Sequence, residues 1–322
     1  MDILISEDLQ APAIERLRQK YTVTCDGGLW REPARLKTAI REAKMLLVRN
    51  QTQVTAELLH AAPKLLGIGR VGVGLDNIDV NVSSSLGIVV VAPLNANATS
   101  VAELTIGLIL AMARKIPQAD RSTKEGNWDR KGCTGMELSG KTLAICGLGR
   151  IGGMVARLAR AFGMRVVAFD SFVKQDSAIV RETGALLCGS LDETLDKADF
   201  VSVHLPLTSE TRQIFGRKMF ASIKPGAYFI NTSRGAVVDE AALLEALQTG
   251  RLAGAALDVR EVEPPGARGI LESMPNVILT PHIGSFTIEA QQRTFEAVET
   301  DVDRLLSGQP ALNFVNFARP KR

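Results

Sequence analysis

The chain has 322 residues, 46% of them apolar and 23% charged, a balance that builds packed cores and excludes a disordered or fibrous protein. Its 38 basic and 35 acidic residues leave a net charge of +3, too even for a nucleic-acid or anionic-membrane footprint, although a local basic pocket for a small anion is compatible with it. The most apolar run, residues 104–113, is half of the roughly 20 residues that a bilayer span needs. At about 150 residues per domain, two domains are expected. The four cysteines, Cys25, Cys133, Cys146 and Cys188, form no C-x-x-C pair and read as free thiols in a reducing compartment. The start of the chain carries no basic leader and reads as a strand, so a cytoplasmic protein is expected. No metal-ligand spacing is present.

Short β-branched runs alternate with helical patterns throughout. Strands are predicted at 2–6, 22–25, 45–49, 65–71 and 88–92, with helical stretches such as 12–20 and 34–43 between them. That βαβ rhythm predicts a parallel sheet covered by helices on both faces. A longer helix is predicted over 100–114, with Ser100 as N-cap and Glu103 completing a capping box. The polar, Gly-dotted segment 118–139, with Trp128, reads as an excursion from the core. A second βα series follows, with strands at 141–146, 165–170, 199–205, 227–231, 252–258 and 276–280. Helices are predicted at 150–162 and, last, at 287–307. The final helix is long enough to leave the second unit and cross back.

The strongest motif is Gly147-Leu-Gly149-Arg150-Ile151-Gly152, a G-x-G-x-x-G between a predicted strand and a predicted helix. Gly147 permits the tight turn, Gly149 lets backbone approach a pyrophosphate, and Gly152 allows close helix–strand packing. The helix N-terminus offers free N–H groups and partial positive charge to phosphates. Asp170 ends the next predicted strand. A carboxylate there accepts from the adenosine ribose hydroxyls and repels the extra phosphate of NADP. No cation follows until Lys174, which favours NAD.

A dehydrogenase of hydroxyl compounds also needs a base, a carboxylate anchor and a hydride acceptor. The three histidines are His60, His204 and His282. His60 lies in a helical stretch and reads as a surface or packing residue. His204 ends a strand, where backbone contact with a cofactor is expected. His282 follows a strand in Thr280-Pro-His282-Ile-Gly284 and is the best candidate base, because ligands bind at strand C-termini in open α/β sheets. Arg234 follows another strand and has the geometry to grip a carboxylate with two parallel hydrogen bonds. Glu263 or Glu261 is in a position to pair with His282, orient its ring and raise its pKa; the local sequence does not choose between them. Asp258, at a strand end, is expected near the nicotinamide.

At these residues the sequence resembles the D-isomer-specific 2-hydroxyacid dehydrogenase family, most of all its phosphoglycerate dehydrogenase branch. The match runs through Gly69-Arg70-Val71-Gly72-Val-Gly74, Ala102-Glu103-Leu-Thr105, the Gly147 motif, His204-Leu-Pro-Leu-Thr208, Asn231-Thr232-Ser233-Arg234-Gly235, Leu257-Asp258-Val259 with Glu263-Pro264, and Thr280-Pro-His282-Ile-Gly284. The resemblance implies two doubly wound parallel-sheet α/β domains, one a Rossmann NAD-binding domain (99–285) and the other a flavodoxin-like substrate-binding domain (1–98 with 286–322). It implies Arg234, Glu263 and His282 as the catalytic set. It implies an NAD site lined by Gly147, Gly149, Arg150, Ile151, Gly152, Asp170, His204, Thr208, Thr232, Ser233, Asp258 and Gly284. Substrate contacts are expected from Arg49, Arg70, Val71 and Gly72 besides Arg234 and His282.

Arg49 and Arg70 both follow first-domain strands, so an anionic three-carbon tail is expected, with a sulfonate as in sulfolactate also satisfying them. Glyoxylate or hydroxypyruvate reduction is a further alternative, and an NAD-sensing corepressor-like binding protein a remoter one. The resemblance also implies a homodimer or dimer of dimers, built by the linker helix and the Trp128 segment with Arg130 reaching across, and neither nucleic acid nor membrane as partner. Val73 and the stretch Asn95-Ala-Asn97-Ala-Thr-Ser100 depart from the branch's usual pattern and bear on substrate rather than on reaction type. The sequence stops soon after the last predicted helix, so feedback by serine through a C-terminal domain is not expected.

Overall fold

The computed structural model describes residues 1–321. Five parallel strands form the first sheet: β1 (Ile3–Ile5), β2 (Val23–Cys25), β3 (Met45–Val48), β4 (Gly67–Arg70) and β5 (Val89–Val91), in the order β2-β1-β3-β4-β5. Helices α1 (Pro12–Lys20), α2 (Pro33–Ala39), α3 (Ala56–His60) and α4 (Val80–Ser85) connect them. Every residue of β1, β3, β4 and β5 is buried, whereas β2, on the edge, is not. Burial on both faces explains why these strands read as continuous apolar runs rather than alternating ones. Helix α1 buries Ala13, Ile14 and Leu17, behind a proline whose fixed φ suits the first turn.

The second sheet has seven strands. Helices α5 (Ala98–Ala113) and α6 (Ile116–Lys124) precede β6 (Thr142–Cys146), α7 (Arg150–Ala161), β7 (Arg165–Phe169), α8 (Ala178–Thr183), β8 (Leu186–Leu187), α9 (Leu191–Leu195), β9 (Phe200–Val203), α10 (Arg217–Ser222), β10 (Ala227–Asn231), α11 (Glu240–Gln248), β11 (Leu252–Leu257) and β12 (Val277–Leu279). The order is β12-β11-β10-β9-β6-β7-β8, and every pairing is parallel. The direction of winding reverses between β6 and β9. Ligands of such sheets bind outside the strand C-termini at that switch point.

The last helix, α12 (Ile288–Leu306), belongs to the first unit and packs on β4 and α1. Glycines in β4 make room for it. A Cβ on Gly69 would lie 3.0 Å from Val298 and one on Gly67 3.1 Å from Leu305. The two compact units are therefore Met1–Asn97 with the segment from Ser285 onward, and Ala98–Gly284.

Some local expectations are corrected. Helix α5 begins at Ala98, so Ser100 is buried inside its first turn instead of capping it, and Glu103 points to solvent. Packing of Ala98, Ser100, Val101 and Ala102 outweighs the capping-box signal. Residues 118–124 of the expected excursion complete α6, a helix that buries none of its residues. Beyond it, 125–139 contains no helix or strand, and Trp128 is 81% exposed. Among the described residues no helix is long and apolar enough to cross a membrane.

Candidate active site

The turn after β6 tests whether its glycines serve folding or a ligand. Gly147 has φ +97°, and a Cβ there would stand 2.7 Å from the His204 carbonyl oxygen. A Cβ on Gly152 would stand 2.1 Å from the Gly147 carbonyl oxygen. Chain geometry alone demands glycine at both positions. At Gly149 a Cβ would meet nothing within 4 Å, so its bareness matters only to something that approaches from outside. Gly149 is the N-cap of α7 and offers no side chain to the free N–H groups of the first turn. Arg150 and Ile151 open that helix.

Asp170, at the end of β7, accepts from Leu148 N–H (2.9 Å) through Oδ2 and from Phe172 N–H (2.9 Å) through Oδ1. It thereby joins the glycine turn to the neighbouring strand end. These features fit a dinucleotide. The pyrophosphate would meet Gly149 and the start of α7, and Asp170 would meet the adenosine ribose.

On the other side of the switch point, three strand ends bring a guanidinium, a carboxylate and an imidazole together. His282 Nδ1 lies 2.6 Å from Glu263 Oε2. Glu263 Oε1 accepts the Arg260 N–H at 2.9 Å. Burial pushes the Glu263 carboxyl up. The hydrogen bonds from His282 and Arg260, and the positive charges of His282 and Arg234, outweigh burial and hold the carboxyl below its ordinary range. Glu261 instead accepts from Gln213 Nε2 (3.1 Å) and takes no part. Arg234 donates Nη1 to the Ser233 carbonyl (2.7 Å).

His282 has φ +55°, a conformation uncommon for a residue with a side chain and worth about 1 kcal/mol of strain. Asp258 holds it there. This carboxylate, 1% exposed, accepts from Thr280 Oγ1 (2.6 Å), Ile283 N–H (2.8 Å) and Gly284 N–H (2.8 Å), and its own carbonyl accepts the His282 N–H (2.8 Å). Sequence reading places Asp258 near the nicotinamide and gives no sign of this anchoring work, which depends on donors 22 to 26 residues away.

The other expected cofactor residues stand around the same strand ends. His204 follows β9; burial pushes its ring down to about 4, which favours the neutral imidazole over the imidazolium. Its Nε2 is 2.9 Å from Ser202 Oγ, and its buried Nδ1 has no partner among the described residues. Thr232 Oγ1 lies 2.9 Å from Thr105 Oγ1, and Ser233 donates to Asn231 Oδ1 at 2.8 Å. Thr208 is tied to Thr211. His60 bonds Ala56 on α3, in the first unit.

In the first unit, Arg49 follows β3. Its Nη2 donates to Gln291 Oε1 (2.7 Å), and its guanidinium lies 4.4 Å from the centre of the Phe286 ring. Among the described residues no carboxylate forms an ion pair with it, and burial pulls its pKa down. The loop that bears it is strapped by Glu7, a carboxylate 2% exposed that accepts the N–H groups of Arg49, Asn50, Gln51 and Thr52. Arg70 is turned inward and donates to the carbonyls of Gly74 and Val71, both at 2.8 Å. Val71 is 1% exposed in the core, and a Cβ on Gly72 would strike the Arg70 guanidinium. Among the described residues no group of three or more His, Cys, Asp or Glu side chains is placed to hold a metal.

A doubly wound sheet with a ligand-facing glycine turn and a His–Glu pair at neighbouring strand ends defines a nicotinamide-dinucleotide protein. Residues 106–284 match the family described as "D-isomer specific 2-hydroxyacid dehydrogenase, NAD binding domain". The D-3-phosphoglycerate dehydrogenase of Methanocaldococcus jannaschii is 44% identical over 98% of this chain and 59% of its own length. The TT0316 protein of Thermus thermophilus superposes with a TM-score of 0.90 at 35% identity, over 98% of this chain and all of that one. D-lactate dehydrogenase from Aquifex aeolicus, complexed with NAD and lactic acid, gives 0.88 at 30% identity, over 98% and 99%. The chain belongs to the D-isomer-specific 2-hydroxyacid dehydrogenase family, and its cofactor is NAD. It spans 59% of the length of the Methanocaldococcus relative.

Proposed function

We propose that the protein interconverts a D-2-hydroxyacid and its 2-oxoacid with NAD, and that the acid is D-3-phosphoglycerate, oxidised to 3-phosphohydroxypyruvate. The observation that carries the reaction is the 2.6 Å contact between His282 Nδ1 and Glu263, which leaves Nε2 as the nitrogen that meets substrate. Arg234 binds the α-carboxylate through paired hydrogen bonds. Neutral His282 takes the C2 hydroxyl proton at Nε2, and Glu263 steadies the imidazolium that results. In the reverse direction protonated His282 returns that proton to the carbonyl oxygen. NAD, when bound, supplies the hydride acceptor. General acid–base transfer of this kind contributes about 10²- to 10⁴-fold.

The reading assigns the second unit to NAD and the first to substrate. Gly147, Gly149, Arg150, Ile151, Gly152, Asp170, His204, Thr208, Thr232, Ser233, Asp258 and Gly284 form the NAD site. Arg49, with no ion-pair partner among the described residues, supports a substrate that carries a second anion, and Arg70 with Val71 and Gly72 shapes the turn beside it. The name carried by the Methanocaldococcus relative supports phosphoglycerate as that substrate. The working form is a homodimer or dimer of dimers in the cytoplasm.

A substrate panel read by NADH absorbance tests the proposal. We expect turnover of 3-phosphoglycerate well above lactate and glycerate. In Arg49→Ala the loss should fall on 3-phosphoglycerate and spare glycerate. In His282→Ala turnover should vanish while NADH still binds. Equal loss on both acids in Arg49→Ala would remove the phosphate-recognition role; turnover intact in His282→Ala would overturn the reaction itself.

A further inference from the structure

The structure assigns to Arg260 the positioning of Glu263 against His282. The Arg260 guanidinium, 14% exposed, is clamped on both sides. Nε and Nη2 donate in parallel to the two oxygens of Glu240, both at 2.9 Å, at the start of α11. Nη1 donates to Glu272, whose other oxygen accepts the Gly269 N–H at 2.9 Å. The first Glu240 oxygen also accepts the Glu261 N–H at 2.8 Å. A planar guanidinium held in this bidentate fashion fixes orientation as well as charge.

The backbone of the same residue faces the catalytic side. Its N–H donates to Glu263 Oε1, so Glu263 is gripped through one oxygen by Arg260 and presents the other to His282. Its carbonyl lies so close to Gly235 that a Cβ there would come within 1.8 Å of it. The residue before Gly235 is Arg234. One backbone unit therefore sets the loop of Glu263 in register with both other members of the constellation. Residues 258–276 contain only a single helical turn at Leu271–Ser273, and the side-chain clamp supplies rigidity that regular structure does not. Catalytic geometry tolerates displacements of well under 1 Å, which is the scale at which a loosened loop costs rate.

The inference rests on the reading of His282 and Glu263 as the acid–base pair, so its test is read without turnover as well as with it. In Arg260→Met with NAD bound, we expect the His282 ring-proton resonance, assigned by its absence in His282→Ala, to move upfield as the short bond to Glu263 loosens. We expect kcat for 3-phosphoglycerate to fall about 10-fold while the Kd for NADH, from fluorescence, stays as in the parent. Arg260→Lys, which keeps the charge and loses the fork, should recover part of both effects. An unmoved resonance together with unchanged kcat would overturn the assignment. Should Arg260→Met fail to fold, Glu272→Gln, which leaves the bidentate Glu240 pair intact, must show the same two changes in smaller degree, and their absence would overturn it equally. Absence of turnover in the parent protein would refute the enzymatic reading, while the resonance would still report on the clamp.

Discussion

His282 stands 2.6 Å from Glu263 although its own backbone is in a left-handed conformation, so the pair is held by the surrounding loops and not by local preference. In the proposed reaction the Glu263 carboxylate has two tasks, orienting Nδ1 and stabilising the imidazolium. Glu263→Gln keeps a hydrogen-bonding atom and removes the charge. We expect kcat to drop by about 10²-fold with NADH affinity unchanged. A loss confined to KM would show that Glu263 serves binding instead.

The carboxyls of Glu240, Glu263 and Glu272 are all held below their ordinary value of 4.5. For Glu240 and Glu263 burial pushes the other way and is outweighed, at Glu240 by Arg260; for Glu272 the hydrogen bond from Arg260 is the largest cause. A carboxyl whose pKa is depressed by folding adds stability above its unfolded pKa and loses it as pH falls through the folded value. The urea midpoint should therefore hold from neutral pH down to about 4.5 and fall below it. The double variant Glu240→Gln, Glu272→Gln should fall less steeply there. Parallel curves would show that the clamp does not contribute to the acid response.

Two glycines of the turn, Gly149 and Gly152, should separate cleanly on substitution by alanine. Gly152→Ala places a methyl 2.1 Å from a carbonyl oxygen and should lower Tm sharply as well as abolish NADH binding. Gly149→Ala meets no protein atom and should leave Tm within a few degrees while weakening NADH by at least about 10-fold, about 1.4 kcal/mol. Unaltered affinity in Gly149→Ala would mean that the cofactor does not approach this backbone.

Asp170 braces the glycine turn, and in the proposed NAD site it also meets the adenosine ribose. In Asp170→Ala, NADH affinity should fall and the preference over NADPH should shrink, because a repelling carboxylate has been removed. Affinities for both cofactors by fluorescence titration check this. A preference as strong as in the parent would place discrimination elsewhere.

Glu7 satisfies four backbone donors with one buried side chain. Glu7→Ala leaves those N–H groups without partners, and each buried orphan costs about 1–3 kcal/mol before water enters. We expect at least about 3 kcal/mol of destabilisation in urea, together with a raised KM for 3-phosphoglycerate, since Arg49 rides on the same loop. A stability change below 1 kcal/mol, on the order of an ordinary surface substitution, would show that the loop keeps its shape unaided.

What is legible in the residues is whatever has a local signature. Strand β6, its glycine turn and α7 follow from one contiguous motif, and the parallel sheets follow from runs that bury both faces. Strand-end position favours His282 and His204 over His60, and the structure adds that burial pushes the His204 ring down to about 4, away from the imidazolium. Strand β8, two residues long, leaves no periodic trace. The choice between Glu261 and Glu263 is not legible in the residues themselves, because loop geometry decides which carboxylate turns toward the imidazole. Arg260 escapes sequence reading for the same reason: its partners lie 20 residues before it and 12 after it, on separate elements.

The return of α12 to the first unit also has a consequence for biosynthesis. Val298, Val302 and Leu305 complete a hydrophobic surface laid down by Ile3, Met45 and Val89, the first of them nearly three hundred residues of translation earlier. The ribosome thus delivers everything needed by the middle of the protein first, and the amino-terminal sheet must wait with one flank bare. Limited proteolysis of stalled nascent chains in which Gly284 has just left the ribosomal exit tunnel should find the nucleotide-binding half resistant and the leading segment still open to cleavage. Chaperone dependence, if the protein has any, should concentrate in that waiting interval.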